Sequence, residues 1–201
     1  MNEFEETVGK SVGKINFHKV QAARIGIAGC GGLGSNCAFN LVRSGFKNFK
    51  IADFDKVEVS NLNRQFYFSD QVGKLKVEML KTNLKRINPD AKIETFMERI
   101  KKDNILDIFK DCDIIVESFD TAEDKKMLVE AMLPTGKLIV SASGICGFGR
   151  SDEIAVHKLK ENLIIIGDLK TSSNCMSPVS PRVNIAAAKQ ANVILEYVLN
   201  S

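Results

Sequence analysis

Apolar residues change their spacing several times along this chain, and each change predicts an element. Arg24-Ile25-Gly26-Ile27-Ala28 is a short apolar run of strand type. From Leu33 to Ser44 the spacing is helical and stops near Gly45. Phe49 to Asp53 predicts a second strand, and Gly73 to Asn88 predicts a helix ended by Pro89, with Val77, Leu80, Leu84 and Ile87 on one face. Lys92 to Phe96 alternates like a strand, Asn104 to Phe109 suits a short helix, and Asp113 to Phe119 suits a buried strand. A helix over Thr121 to Leu133 and a strand over Leu138 to Ser141 follow. Strands alternating with helices predict an α/β fold with a mainly parallel sheet and helices on both faces.

After Gly144 the pattern changes. Glu153 to His157 and Leu163 to Ile166 predict a short antiparallel pair, 167–180 a loop, and Pro181 to Leu199 a terminal helix with proline at its start. Residues 1–23 read as a polar, partly helical arm interrupted by Gly9 and Gly13, able to pack on the domain or on a partner. The remaining apolar helix positions, Val77, Leu80 and Leu84 with Val193, Ile194 and Val198, suit either core or a dimer surface.

A length of 201 residues and 44% hydrophobic content point to one domain over 1–201. The 28 basic and 25 acidic residues are interspersed, so there is no one-sided field for a nucleic acid. No apolar run approaches the roughly 20 residues that span a bilayer, and the acidic Met1 to Glu6 start is unlike a signal peptide. A cytoplasmic location is expected. Five scattered cysteines without a C-x-x-C pair predict reduced thiols and no zinc.

The chemistry starts at Gly29-Cys30-Gly31-Gly32-Leu33-Gly34, which follows a predicted strand and opens a predicted helix. In that setting backbone amides and a helix N-terminus face an anion; without a ligand the same glycines make a tight strand-to-helix turn. Asp53 lies 19 residues beyond Gly34, where a carboxylate can hold a ribose hydroxyl. Beyond Asp53, the run to Gln65 adds Asp55, Ser60, Asn61 and Arg64, which a dinucleotide hardly needs. Lys76 opens the next helix and Asp120 ends a strand, both on the ligand side of the sheet. A triphosphate requires such cations for its phosphates and a carboxylate for Mg²⁺.

These motifs occur in order from residue 24 to about 145: Gly-x-Gly-Gly-Leu-Gly, Asp-x-Asp-x-Val-x-x-Ser-Asn-Leu-x-Arg-Gln, Gly-x-x-Lys and a strand-terminal Asp. Together they resemble the ThiF/MoeB/HesA superfamily, relatives of ubiquitin-activating enzymes. Gly167-Asp168 and Ser180-Pro181-Arg182-Val183 are most similar to the short second form of ThiF. The resemblance implies a Rossmann-like domain that uses ATP and Mg²⁺ to adenylate the C-terminal glycine of a small ubiquitin-like sulfur carrier ending in Gly-Gly. It also implies a homodimer and a place in thiamine biosynthesis.

By match to the family motif, Gly29, Gly31, Gly32 and Gly34 form the floor and Asp53 holds the ribose. Asn61, Arg64 and Lys76 hold the phosphates, and Asp120 binds Mg²⁺. Each position has a plainer reading. Arg64 could form a structural ion pair with Asp53 or Asp55, Asp55 could orient Arg64 or cap a turn, and Lys76 could be solvated. Asp120 could be the N-cap of the following helix. Lys101-Lys102 and Lys125-Lys126 suit solvated faces, although Lys125 could face the nucleotide.

The chain departs from longer relatives in two ways: it has no zinc-binding cysteine pairs, and before Arg24 it has only Lys10, Lys14 and Lys19 where they supply an arginine to the neighbouring subunit. Cys175, in a predicted loop, is either a nucleophile toward the activated carrier or an incidental thiol. Two further functions compete with adenylation: a non-catalytic adapter that docks a carrier, and a nicotinamide-dependent oxidoreductase. An RNA-modifying dehydratase has no basic run to support it.

Overall fold

The computed structural model describes residues 1–172 and 176–200. Seven strands form one sheet: β1 (Arg24–Ala28), β2 (Asn48–Ala52), β3 (Lys92–Phe96), β4 (Ile114–Glu117), β5 (Leu138–Ala142), β6 (Ala155–Lys160) and β7 (Leu163–Gly167). Their order is β3-β2-β1-β4-β5-β7-β6. All pairings are parallel except that of β6 with β7, so the predicted antiparallel pair is the edge of the same sheet, joined through β7 to β5. This is a Rossmann-like α/β sheet.

Among the described residues seven α-helices surround it: α1 (Glu3–Val12), α2 (Lys14–Ala22), α3 (Gly32–Arg43), α4 (Lys76–Lys85), α5 (Ile105–Phe109), α6 (Ala122–Met132) and α7 (Ser180–Asn200). The pleat divides the core in two. Ile25, Ile27, Ile51, Val116 and Val140 face one layer with Leu41, Leu80 and Ile194, from α3, α4 and α7. Ala28, Ala52, Ile115 and Ile139 face the other layer with Phe109 and Leu128, from α5 and α6. Val77, Leu80, Leu84, Val193, Ile194 and Val198 are all buried, which makes them core within this chain.

The N-terminal arm packs on its own chain. Asn2 caps α1 by accepting from the Glu5 amide at 2.9 Å, and Gly13 separates α1 from α2. Glu5, 1% exposed, pairs with Lys47 at 2.9 Å and accepts from Asn88 at 3.1 Å. No helix among the described residues is long and apolar enough to cross a membrane.

Strand order reverses between β1 and β4. In an open parallel sheet the loops leaving such a pair diverge to opposite faces and leave a crevice at the strands' C-terminal ends. The glycine turn after β1, the 53–75 segment after β2 and the 118–121 turn after β4 all lie at that end.

Candidate functional site

Gly29 leaves β1 at φ +93°, and its amide donates to Ala52 O at 2.9 Å. The helix then returns so close to the strand that a Cβ on Gly34 would stand 1.9 Å from Gly29 O, a position only glycine can fill. Gly31 is extended at the N-cap of α3 and offers no side-chain cap, so the first-turn amides of α3 are left for an anion.

Asp53 closes this turn from the side. Its Oδ2 accepts from the Cys30 amide at 2.6 Å and its Oδ1 from the Asp55 amide at 2.8 Å. Burial pushes the Asp53 carboxyl up, against the opposing pull of those two N–H groups and of Lys76.

The 53–75 segment is fastened to the turn by side chains. Ser35 Oγ donates to Gly31 O at 2.6 Å and accepts from the Phe66 amide at 3.0 Å. Asn36 Nδ2 donates to Gly32 O at 2.7 Å and to Arg64 O at 2.8 Å, while the buried Tyr67 hydroxyl donates to Cys30 O at 2.8 Å. The Arg64 stem therefore runs beside the start of α3, its Cγ lying 3.6 Å from where a Gly32 Cβ would be.

Arg64 pairs with neither Asp53 nor Asp55. Its Nη1 donates to Ser60 O at 3.1 Å and Asn63 Oδ1 at 2.7 Å, leaving a half-exposed guanidinium without a carboxylate partner. Asp55 pairs instead with Lys76, whose Nζ is 2.8 Å from Asp55 Oδ2; Lys76 is 6% exposed at the start of α4. Asn61 is buried, and its Oδ1 accepts from the Glu58 amide at 3.1 Å, so much of its side chain serves the local turn.

Asp120 is exposed and has no hydrogen-bond or ion-pair partner among the described residues. It does not cap α6: Thr121 is the N-cap, accepting from the Asp124 amide at 3.2 Å. Lys125 is half-buried and not simply solvated: its Nζ lies 3.0 Å from the buried Glu117 carboxylate at the end of β4. Sequence reasoning missed Glu117; the available signal was a single carboxylate closing an apolar strand, with a lysine eight residues on.

Two buried polar atoms beside the turn lack partners, Gln65 Oε1 and Ser118 Oγ. Ser118 O lies 3.0 Å from where a Gly29 Cβ would be, and Gln65 Nε2 lies 3.9 Å from the corresponding Gly31 position. Unpaired buried groups of this kind fit a site that a polar ligand completes. No group of three or more His, Cys, Asp or Glu among the described residues could hold a metal ion. A single free carboxylate still fits Mg²⁺, which takes one or two carboxylates and fills its remaining positions with phosphate oxygens and water.

The cysteines are poor nucleophiles where they are described. Burial pushes the Cys30 and Cys37 thiols up, Cys112 is pushed up to about 12 by burial, and Cys146 is raised by the same cause. Cys175 lies outside the described residues.

A model of the ThiF family matches residues 5–192. Over 191 residues, 94% of this chain and 41% of the other, the sequence is 31% identical to the adenylyltransferase and sulfurtransferase UBA4 of Candida glabrata. Over 150 residues, 74% of this chain and 22% of the other, it is 29% identical to SUMO-activating enzyme subunit 2 of Dictyostelium discoideum. The chain thus spans about two fifths, or less, of these curated relatives. Among solved structures, the E. coli tRNA N6-threonylcarbamoyladenosine dehydratase TcdA in complex with ATP superposes with a TM-score of 0.82 at 19% identity. That alignment covers 97% of this chain and 91% of the dehydratase.

Proposed function

The chain belongs to the ThiF family, and from that premise we propose that it binds ATP at the glycine turn and adenylates the C-terminal carboxylate of a small ubiquitin-like protein. The observation that supports this reading is that the uncapped α3 N-terminus, the segment carrying Arg64 and Lys76, and the turn carrying the unpartnered Asp120 all follow the C-terminal ends of the adjacent parallel strands β1, β2 and β4. Curated relatives named as an adenylyltransferase and a SUMO-activating subunit support the reaction class, and the ATP complex of a structural neighbour supports the nucleotide.

The chemistry asks for positioning and charge stabilisation, not a base. A carboxylate is already a nucleophile at neutral pH; it attacks the α-phosphorus, an acyl-AMP forms and pyrophosphate leaves. In this reading the α3 amides cradle phosphate oxygens, while Asp53 accepts from a ribose hydroxyl. Arg64 is free to follow charge developing at phosphorus. Lys76 must exchange its bond to Asp55 for a phosphate oxygen, which leaves Asp55 as the near end of that switch. Asp120 would hold Mg²⁺, which neutralises phosphate charge when bound.

The finer reading is a Gly-Gly-ended sulfur carrier of the ThiS type, a homodimer, and thiamine biosynthesis in the cytoplasm; the sequence resemblance is its support. ATP–pyrophosphate exchange with a panel of Gly-Gly-ended carriers tests it. Exchange should depend on one carrier and disappear in Arg64→Ala and Asp120→Ala. ATP binding with no exchange under any carrier would instead make the chain a docking adapter, and tight NADH binding without competition by ATP would return it to the oxidoreductases.

A further inference from the structure

Glu117 has no exposed surface, although it sits at the centre of the sheet between β1 and β5. Burying a carboxylate is costly unless its lone pairs are satisfied, and here they are. Oε1 accepts from the Phe119 amide at 2.7 Å and from Lys125 Nζ at 3.1 Å. Oε2 accepts from Lys125 Nζ at 3.0 Å and from the Ser141 hydroxyl of β5. One side chain thus joins the β4–α6 turn, α6 and β5.

Hydrophobic burial does not require this arrangement, since an apolar residue would cover the sheet as Ile115 does. What an apolar residue cannot do is bond the Phe119 amide and so set the shape of the turn. That turn is also tied to the nucleotide side, because the Ser118 amide donates to Ala28 O at 3.0 Å. Asp120 follows immediately, and with no partner of its own the reach of its carboxylate depends on where the backbone of this turn places it.

We infer that Glu117, held by Lys125 and Ser141, is a positioning residue that fixes the turn presenting Asp120 to the metal of the bound nucleotide. The inference rests on Asp120 being that metal's ligand. Outer partners that orient a ligating carboxylate change metal affinity by roughly 10–100-fold when removed.

The test measures Mn²⁺ binding, from loss of the free-ion electron paramagnetic resonance signal. The sample is the full chain saturated with an ATP analogue methylene-bridged between its α- and β-phosphorus. Wild type should bind Mn²⁺ more tightly than the free analogue does, and Asp120→Asn should abolish that gain. Glu117→Gln should weaken Mn²⁺ binding about tenfold or more, while analogue binding in EDTA stays as in wild type. Urea unfolding of Glu117→Gln and of Glu117→Gln with Lys125→Met separates positioning from stability. Removing both charges together should restore stability, yet metal binding should remain weak. Wild-type Mn²⁺ affinity in Glu117→Gln, or its recovery along with stability in the double variant, overturns the positioning role. Undiminished metal binding in Asp120→Asn, or none in wild type beyond the free analogue, overturns the Asp120 assignment and the inference with it.

Discussion

Asp168 and Asp120 are both carboxylates just beyond the C-terminal end of a parallel strand, yet their surroundings are opposite. Asp168 is 8% exposed and Arg182, in the first turn of α7, is 2% exposed; they meet at 2.6 Å. Asp168 Oδ1 also accepts from the Lys170 and Thr171 amides, both at 2.8 Å, and Arg182 Nη1 donates to the carbonyls of Gly149 and Arg150. Asp120 has no partner among the described residues, and the Arg64 guanidinium bonds only Ser60 and Asn63 of its own turn among them. The same residue types thus build a closed strap in one place and an open site in the other. The closed strap holds the 144–150 loop and the start of α7 together. The open site keeps its charge for a ligand.

The sharpest way to break this contrast is to remove a charge from the closed side. Arg182→Met leaves the buried Asp168 without its cation, with the Lys170 and Thr171 amides still bonded to it, which should cost about 3 kcal/mol in urea unfolding, the low end for breaking a buried pair. Adding Asp168→Leu should return much of that loss, because a buried pair replaced as a unit is often near neutral. On the open side the effects exchange places. Arg64→Ala should lower carrier-dependent exchange by about 10²–10³-fold, the range for removing one donor to developing charge. Its unfolding free energy should stay within about 0.5 kcal/mol of wild type, as expected for a surface change away from core and caps. An Arg64 variant that is strongly destabilised would place Arg64 with Arg182, as a strap.

The contrast also marks how far the sequence could be read. The local periods found every strand and helix of the sheet, because successive strand positions must alternate between the two layers, Ile25, Ile27, Ile51 and Val116 facing one and Ala28, Ala52 and Ile115 the other. They could not say that β7 would pair with β5 and carry β6 to the edge, since pairing partners leave no mark on local spacing. The glycine turn was legible because close approach at Gly34 and positive φ at Gly29 exclude other residues. Glu117 was not, because a carboxylate closing Ile114-Ile115-Val116-Glu117, even with a lysine eight residues on, fits a strand's exposed polar end as well as a buried ion pair. Lys125 was misjudged for the same reason: its partner is eight residues away and across a helix turn. The ion pair of Lys76 with Asp55 is likewise a product of the fold, which brings α4 back beside the end of β2.

A smaller effect tests how the open site keeps its shape. Tyr67→Phe removes the hydroxyl that donates to Cys30 O at 2.8 Å, in a position 5% exposed. Loss of one buried hydrogen bond should cost about 1–2 kcal/mol in unfolding. It should also weaken ATP binding measured by calorimetry, because the glycine turn loses one of its ties to the 53–75 segment, those of Ser35 and Asn36 remaining. A stability loss with unchanged ATP affinity would show that Asp53, Ser35 and Asn36 hold the turn without Tyr67.

The smallest effect is in pH, where the two regions should have slopes of opposite sign. Burial pushes the Asp168 carboxyl up, but the amides of Thr171 and Lys170, the Thr171 hydroxyl and the Arg182 guanidinium outweigh it and hold it below the ordinary value. The stability it contributes is therefore present above the unfolded value, about 3.9, and is lost as pH falls through the lower folded value. For Asp53 burial wins and the folded value is raised. Its contribution is present below about 3.9 and is lost as pH rises through the folded value, the reverse direction. In unfolding free energies measured from roughly pH 6 down to the acid transition, Asp168→Asn should flatten the fall in stability. Asp53→Asn should steepen it, because the variant no longer has the proton uptake that favours the fold in acid. Flattening by both substitutions would mean that the Cys30 and Asp55 amides dominate at Asp53. The open site would then hold that carboxylate ionised as firmly as the closed strap holds Asp168.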